Sequence, residues 1–245
     1  MTCDINLGFK NIDNIYLPCY VNVLTHCHWL VVGGSGSGKT VFLEYVLNHM
    51  LDTSITLYIA DFKGSGDLSA ITPFYSEFDA CIELIEDFYT KYQEIKLHKT
   101  GERILLIFDE YAGFMVWLES KDKKKATEIK GKIAEILMQG RALPGGGSAW
   151  FWCVCQRADS CYFSHGAREN FMLSIGFSNL SKESKVMLGF HAEDIPTDYK
   201  PSTGRALLSV DGHDLTVLQV PRIDISRLKL LLAKKAAHRT GIAGS

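Results

Sequence analysis

Residues 33–40 read Gly-Gly-Ser-Gly-Ser-Gly-Lys-Thr and stand between an apolar run at 29–32 and a segment with helical spacing at 41–47. Glycine has no Cβ, so the backbone N–H groups of such a loop can converge on phosphate oxygens. The N-terminus of the helix that follows adds partial positive charge at the same place. The stretch therefore predicts a strand, a phosphate-binding loop and a helix.

Two residues of this loop have separate expected roles. Lys39 is expected to reach the β- and γ-phosphates of ATP, and the Thr40 hydroxyl to take one Mg²⁺ position. The predicted phosphate-binding residues are Gly33, Gly34, Ser35, Gly36, Ser37, Gly38, Lys39 and Thr40.

A pair of acids forms the second signal. The apolar run at 104–108 is typical of a buried parallel strand, and Asp109 and Glu110 follow it directly. Parallel strands deliver their last residues to one edge of a sheet, so both carboxylates are expected beside the phosphate-binding loop. Asp109 is expected to hold Mg²⁺ opposite Thr40, and Glu110 to polarise the attacking water.

Two further polar residues are candidates for the same chemistry. Gln156 ends the next core strand, where its amide can bond both a γ-phosphate and a water. Arg141 follows a helix in a glycine-flanked loop, from which it could reach a neighbouring subunit's nucleotide as an arginine finger. A glutamine bonded to the backbone and an ordinary surface arginine remain the structural alternatives.

Strand and helix patterns alternate through most of the chain. Residues 1–27 are predicted to form lead-in strands, 28–222 the main domain, and 223–245 a basic helix and tail, with Ser226 as the helix cap. The expected class is α/β, with a mostly parallel central sheet flanked by helices and a late β-hairpin. Predicted strands lie at 28–32, 55–60, 104–108, 150–155, 173–177, 204–210 and 215–220, and predicted helices at 40–50, 79–99, 124–139 and 182–189.

Composition limits the possible classes. The formal net charge of −2 argues against a protein that simply coats nucleic acid, so contact with a polyanion would use local patches. Basic runs at 121–132 and 222–239 are such patches, although solvated helix faces explain most runs of this kind. Seven scattered cysteines indicate free thiols rather than a disulfide framework. Without a signal peptide or a membrane-span pattern, a cytoplasmic location is expected.

Taken together, the motifs resemble the motor domain of FtsK/SpoIIIE-type DNA translocases. The resemblance covers roughly residues 10–220 and extends to His28 and to Gly204-Arg205. The motifs occur in the family's order and comprise 33–40, Asp61-Phe62-Lys63-Gly64, 104–112, Gly140-Arg141-Ala142 and Cys155-Gln156-Arg157.

What the resemblance implies is a RecA-like P-loop ATPase that works as a hexameric ring and moves double-stranded DNA through its central channel. In the family, loops similar to 61–67 and 157–168 face that channel, so Lys63, Arg157 and Arg168 are the implied DNA contacts. Lys185 falls where the family has a basic residue that could act across the subunit interface.

Two departures from the family pattern change these expectations. Phe62 stands where the family usually has proline, which leaves the shape of that loop in question. No winged-helix module for reading DNA polarity is evident, so a separate DNA-specificity or recruitment protein is expected, as in plasmid, conjugative-element or phage DNA transfer. Two alternatives remain open, which are a secretion motor that moves polypeptide and a P-loop switch or kinase. A kinase would be expected to carry a cluster of phosphate-clamping arginines, which is not evident here.

Overall fold

The computed structural model describes residues 3–12, 15–163, 166–197, 199–213, 215–221 and 224–240. Its strands are β1 (Asp4–Ile12), β2 (Ile15–Asn22), β3 (Trp29–Gly33), β4 (Thr56–Asp61), β5 (Tyr75–Glu77), β6 (Arg103–Asp109), β7 (Ser148–Cys155), β8 (Leu173–Phe177), β9 (Arg205–Val210) and β10 (Thr216–Gln219). Its α-helices are α1 (Lys39–Met50), α2 (Cys81–His98), α3 (Tyr111–Lys121), α4 (Lys123–Gln139), α5 (Lys182–Leu188) and α6 (Ile225–Thr240).

All of these strands belong to one sheet with the order β2-β1-β10-β9-β8-β3-β7-β6-β4-β5. The strands from β8 to β5 are parallel to one another. The strands β9, β10, β1 and β2 continue the sheet in antiparallel fashion. The predicted α/β class with a mostly parallel central sheet is therefore confirmed.

The central strands are buried because helices cover both faces of the sheet. Every residue of β3 and of β7 is buried, which matches their unbroken apolar sequences. Alternate residues feed two separate cores, since successive side chains of a strand point to opposite faces. One core receives the apolar sides of α2, α3 and α4, and the other receives those of α1 and α6.

The lead-in hairpin joins the main sheet. Strand β1 pairs with β10, with Phe9 opposite Gln219. Gly8 marks an irregularity in the pairing of β1 with β2 and has a φ of 138°. A Cβ on Gly8 would lie 2.6 Å from the carbonyl oxygen of Gln219, so only glycine allows this approach. The hairpin is thus an extension of the sheet formed by the rest of the chain.

The structure departs from the sequence prediction in three places. Helix α3 was not predicted, because its residues are apolar almost all round and show no helical stripe. Strand β5 is only three residues long and was missed as well. The last helix begins at Ile225, so Ser226 lies inside α6 and the predicted Ser226 cap is wrong.

Several lysines of the two basic runs are committed to packing. In α4, Lys125 lies 2.9 Å from a carboxylate oxygen of Glu86 on α2, and Lys132 pairs with the same carboxylate. In α6, Lys235 donates to the carbonyl of Asn48 on α1 at 2.7 Å. These lysines therefore hold helices together, as expected for most charge runs.

A membrane-spanning helix and a disulfide bond are both missing from the described part of the chain. No helix among the described residues is long and apolar enough to cross a membrane. The cysteines of these residues are all free, and all but Cys161 are at least partly buried.

Candidate nucleotide-binding site

The glycine-rich loop lies between β3 and α1, at the carboxyl edge of the sheet. Gly36 and Gly38 have φ values of 72° and 105°, in the left-handed region where L side chains are strained. A Cβ on Gly33 would lie 2.7 Å from the Cβ of Phe177 on β8. Local conformation and close packing thus both require glycine in this loop.

Lys39 begins α1 and turns back over the loop. Its ammonium donates to the carbonyl oxygen of Gly33 and, at 3.1 Å, to that of Gly34. Burial lowers the pKa of Lys39, and the nearby carboxylates of Asp109 and Glu110 act in the opposite direction. The lysine is therefore a cation held over the phosphate-binding loop.

The loop forms one wall of a cavity of about 220 Å³. The two acids predicted to act with the loop, Asp109 and Glu110, line the same cavity, together with Gln156. The residues that line the cavity are Ser35, Gly36, Ser37, Gly38, Lys39, Thr40, Val41, Lys63, Asp109, Glu110, Gln156 and Thr203. The structure thus brings together the glycine loop and both acids, as the sequence predicts.

The two acids differ in environment. Asp109 ends β6, and its pKa is raised to about 6, first by burial and then by the neighbouring charge of Asp61, while Lys39 acts in the opposite direction. Glu110 has a φ of 64° and a ψ of 43°, a left-handed conformation that costs a non-glycine residue about 1–2 kcal/mol. Such strain in a residue that lines a cavity is typical of functional sites.

A glycine one turn into α3 leaves room for the Glu110 side chain. A Cβ on Gly113 would lie 3.1 Å from the Cγ of Glu110, closer than ordinary van der Waals contact. Because Glu110 precedes the helix in a left-handed turn, its side chain folds back toward that position. Gly113 therefore leaves space for the side chain of Glu110. This role of Gly113 was not predicted from the sequence.

The residues present fit Mg²⁺ together with a triphosphate. Thr40 provides a hydroxyl and Asp109 a carboxylate at the same cavity, which are the hard oxygen ligands that Mg²⁺ takes. No cluster of three or more acidic, histidine or cysteine side chains that could hold a metal occurs in the described part of the chain. At phosphate sites Mg²⁺ is held by one or two protein carboxylates together with waters and phosphate oxygens. The buried Oγ of Ser37 has no partner among the described residues, so a donor is free at the cradle.

The loop after β4 is organised by Asp61. This buried carboxylate accepts hydrogen bonds from the backbone N–H groups of Gly64, Ser65 and Gly66 at 3.0, 2.9 and 3.2 Å. The hydroxyls of Ser65 and Tyr75 donate to it as well, each at 2.9 Å. The loop around Lys63 is consequently fixed from within.

Sequence reasoning missed Thr203, which lies just before β9 and lines the cavity. Its hydroxyl lies 3.4 Å from the carbonyl oxygen of Gly36, and the N–H of Gly204 donates to the carbonyl of Ser37 at 2.9 Å. The antiparallel return of β9 beside β8 places this segment against the loop. The signal of this segment in the sequence was Gly204, which the structure places at a φ of 77°.

Three of the remaining predicted site residues, Arg157, Lys185 and Arg141, lie outside the cavity lining. Arg157 is exposed next to Gln156, and Lys185 is half-buried on α5. The side chain of Arg168 lies outside the described residues. Arg141 is exposed at the opposite edge of the sheet, where its carbonyl is 3.5 Å from the indole nitrogen of Trp150, near the start of β7. Arg141 therefore has no contact with the nucleotide cavity of its own chain.

His28, just before β3, is a structural residue. Its Nδ1 accepts a hydrogen bond from the N–H of Phe151 at 3.1 Å, and burial lowers its pKa to about 3. The imidazole is therefore neutral and completes the pairing at the start of the central strands.

No protein-family model matches the chain. A search of curated proteins matches the FtsK domain-containing protein YdcQ of Bacillus subtilis strain 168, at 26% identity over 204 residues. The resemblance to FtsK-type motor domains is confirmed. That match includes 75% of this chain but 40% of YdcQ, so the chain spans well under half of the curated relative.

Solved structures support the fold. The pCW3 conjugation coupling protein TcpA, in its monomer form with ATPγS, has a TM-score of 0.70 at 20% identity over 96% of this chain and 71% of TcpA. The cytoplasmic domain of the Thermomonospora curvata type VII secretion ATPase EccC has a TM-score of 0.68 at 18% identity, over 96% of this chain and 31% of EccC. At these identities the likeness shows a RecA-like P-loop fold, as the resemblance implied.

Proposed function

We propose that this chain is an FtsK-type motor that hydrolyses ATP and couples hydrolysis to the movement of double-stranded DNA. The observation that carries the proposal is a single cavity lined by the glycine loop, Asp109, Glu110 and Gln156. Phosphoryl transfer needs positioning and charge stabilisation more than covalent chemistry, and these residues supply both. The relation to YdcQ supports the same proposal.

Each residue has a role in this chemistry. The loop N–H groups and Lys39 hold the phosphates, and Glu110 orients the attacking water and takes its proton. Gln156 bonds the water and the γ-phosphate from the end of β7. When bound by Thr40 and Asp109, Mg²⁺ neutralises charge on the β- and γ-phosphates.

A ring is proposed because, among the described residues, the cations that line the cavity are Lys39 and Lys63 alone. An arginine finger is worth about 10³–10⁵ in rate in NTPases of this mechanism. Arg141 stands at the opposite edge of the sheet from its own cavity, so it can serve only the nucleotide of another subunit. A homo-oligomer, hexameric as in FtsK-type motors, supplies this arrangement.

The DNA contacts proposed are Arg157 and Arg168, as sequence-independent contacts to phosphate. The segment that follows Gln156 is anchored rather than loose, since the Tyr111 hydroxyl donates to the carbonyl of Tyr162 at 3.2 Å. Lys130 donates to the carbonyl of Cys161 at 2.7 Å. These two contacts hold the segment against α3 and α4. A separate recruitment protein would supply the choice of DNA.

The alternative is a motor that moves polypeptide, which the likeness in fold to the secretion ATPase EccC favours. The test is the rate of ATP hydrolysis by the full chain, with long duplex DNA or without it, and the oligomer mass at the same concentration. Stimulation by duplex DNA that falls as salt rises is expected, because counterion release drives phosphate contacts. Hydrolysis that duplex DNA leaves unchanged at low salt would reject the DNA motor and favour the alternative.

A further inference from the structure

We propose that Lys63 binds the γ-phosphate of ATP and makes the site distinguish ATP from ADP. The inference rests on the proposed nucleotide site and assigns to Lys63 a ligand other than the DNA backbone that the family resemblance implies. Lys63 lines the same cavity as the glycine loop, and the residue before it, Phe62, is hydrogen-bonded through its backbone to Asp109.

The ammonium of Lys63 is available for a ligand. Lys63 is exposed, and within the described ranges no carboxylate lies within 4.0 Å of its ammonium. Its charge nevertheless acts on this site. Burial raises the pKa of Asp109 and Lys63 opposes that shift, whereas burial lowers the pKa of Lys39 and Lys63 adds to that shift. A cation that is near two acids and bonded to neither is suited to an anionic ligand placed between them.

The residues on either side of Lys63 are fixed. The N–H of Phe62 donates to the carbonyl of Asp109 at 3.2 Å, which ties the loop to the strand that carries the acids. The Phe62 ring packs against Phe114 and Trp117, with ring centroids 5.5 and 5.4 Å away. Phenylalanine in place of the family's proline thus anchors the loop through its ring.

Packing on the other side of Lys63 completes this support. Gly64 has a φ of 65°, and a Cβ there would lie 2.1 Å from the ring of Phe78. The far end of the loop is held by Asp67, which lies 2.7 Å from the ammonium of Lys229 on α6. Lys63 is therefore an exposed side chain on a loop that is held at both ends, which is the arrangement that positions a charge for a bound ligand.

The balance of charge requires a second cation. Lys39 alone faces the two carboxylates of Asp109 and Glu110, so without Lys63 the cavity would be net negative. Mg·ATP is itself an anion, and binding it in a negative cavity would cost electrostatic free energy. Lys63 offsets this charge. Because Lys39 already reaches the β- and γ-phosphates from the loop side, the acid side of the cavity is the place for a contact made by the γ-phosphate alone.

The test compares the affinities of ATPγS and ADP, each with Mg²⁺, for the full chain by titration calorimetry. Lys63→Ala is expected to weaken ATPγS binding by about tenfold or more, the usual effect of losing a charge-assisted hydrogen bond, and ADP binding by less than about twofold. Lys63→Arg keeps the charge and is expected to recover part of the preference. Lys124→Ala, an exposed lysine on α4, is the matched control.

The possible outcomes separate this inference from the function on which it rests. If the unaltered chain binds neither nucleotide, the proposed nucleotide site fails and the role of Lys63 fails with it. If the unaltered chain binds both and Lys63→Ala weakens both equally or neither, the inference alone is overturned. A Lys63→Ala protein that loses affinity for duplex DNA without nucleotide, yet keeps its preference for ATPγS over ADP, would also overturn it and return Lys63 to the DNA contacts.

Discussion

The two edges of the parallel sheet use their polar groups in opposite ways. At the amino edge, indole and backbone groups bond one another, while the buried Nε2 of His28 has no partner among the described residues. The indole of Trp152 donates to the carbonyl of Cys27 at 3.0 Å, and the indole of Trp29 donates to that of His26 at 2.6 Å. At the carboxyl edge, Lys39, Lys63, Asp109 and Glu110 line one cavity, and in the part of the chain described here none of them is in an ion pair.

The difference separates residues that stabilise the fold from residues that are placed to bind a ligand. Satisfied buried polar groups fix a core in one arrangement. Charges held close together without pairing lower stability, so they are found where a ligand completes them. The amino edge is therefore the structural end of the sheet, and the carboxyl edge is the site.

The largest effect on folding is expected at the amino edge. Trp152 and Trp29 are fully buried and stacked, with ring centroids 3.7 Å apart. Trp152→Ala is expected to lower the free energy of unfolding by about 3–5 kcal/mol, because it leaves a large cavity. Urea denaturation measures this, and Leu97→Ala, at a residue that is 74% exposed, is the control.

Nucleotide binding is expected to be unchanged by Trp152→Ala. Below its unfolding transition, the variant should bind ATPγS as the original chain does, since the tryptophan does not line the cavity. A folded variant that had lost nucleotide affinity would show that the amino edge is not structural alone.

The next effect is on catalysis at the carboxyl edge. Glu110→Gln removes the acceptor for the proton of the attacking water and is expected to lower kcat by about 100-fold or more, which is about 2.7 kcal/mol or more of barrier. ATPγS affinity should stay within about twofold, because the phosphates are held by the loop. Steady-state hydrolysis and calorimetry measure the two quantities. Normal turnover in this variant would remove Glu110 from the mechanism.

The smallest effect is a gain of stability from Asp109→Asn. The folded chain raises the pKa of this carboxyl to about 6 from 3.8, so the group binds more protons when folded. Its contribution to stability is greatest below pH 4 and is lost as the pH rises through 6. At pH 8 the charged form should cost about 1–2 kcal/mol after solvent screening, which asparagine removes.

Urea denaturation at two pH values tests this sign. Asp109→Asn should be more stable than the original chain at pH 8, and its advantage should shrink at pH 4. Asp79→Asn, at an exposed carboxylate, is the matched control. A variant that is less stable than the original chain at pH 8 would contradict the view that Asp109 is held at a cost to folding.

The features that could be predicted from the sequence are those that depend on residues close together in the chain. The loop at 33–40 and the acids at 109–110 were predictable because glycine spacing and an apolar run that ends in two acids are local signals. Helix α3 was hidden by its uniform apolar sequence. Thr203 and the position of Lys63 depend on which strands become neighbours, and residues far apart in the chain determine that. The pairing of β1 with β10 was unpredictable for the same reason.

The most direct test of the account is an experimental structure of the full chain with Mg²⁺ and ATPγS. We expect the triphosphate to lie in the loop at 33–40, the metal to contact the Thr40 hydroxyl and the Asp109 carboxylate, and the Lys63 ammonium to contact the γ-thiophosphate. Nucleotide bound elsewhere, or a metal that contacts neither Thr40 nor Asp109, would contradict it.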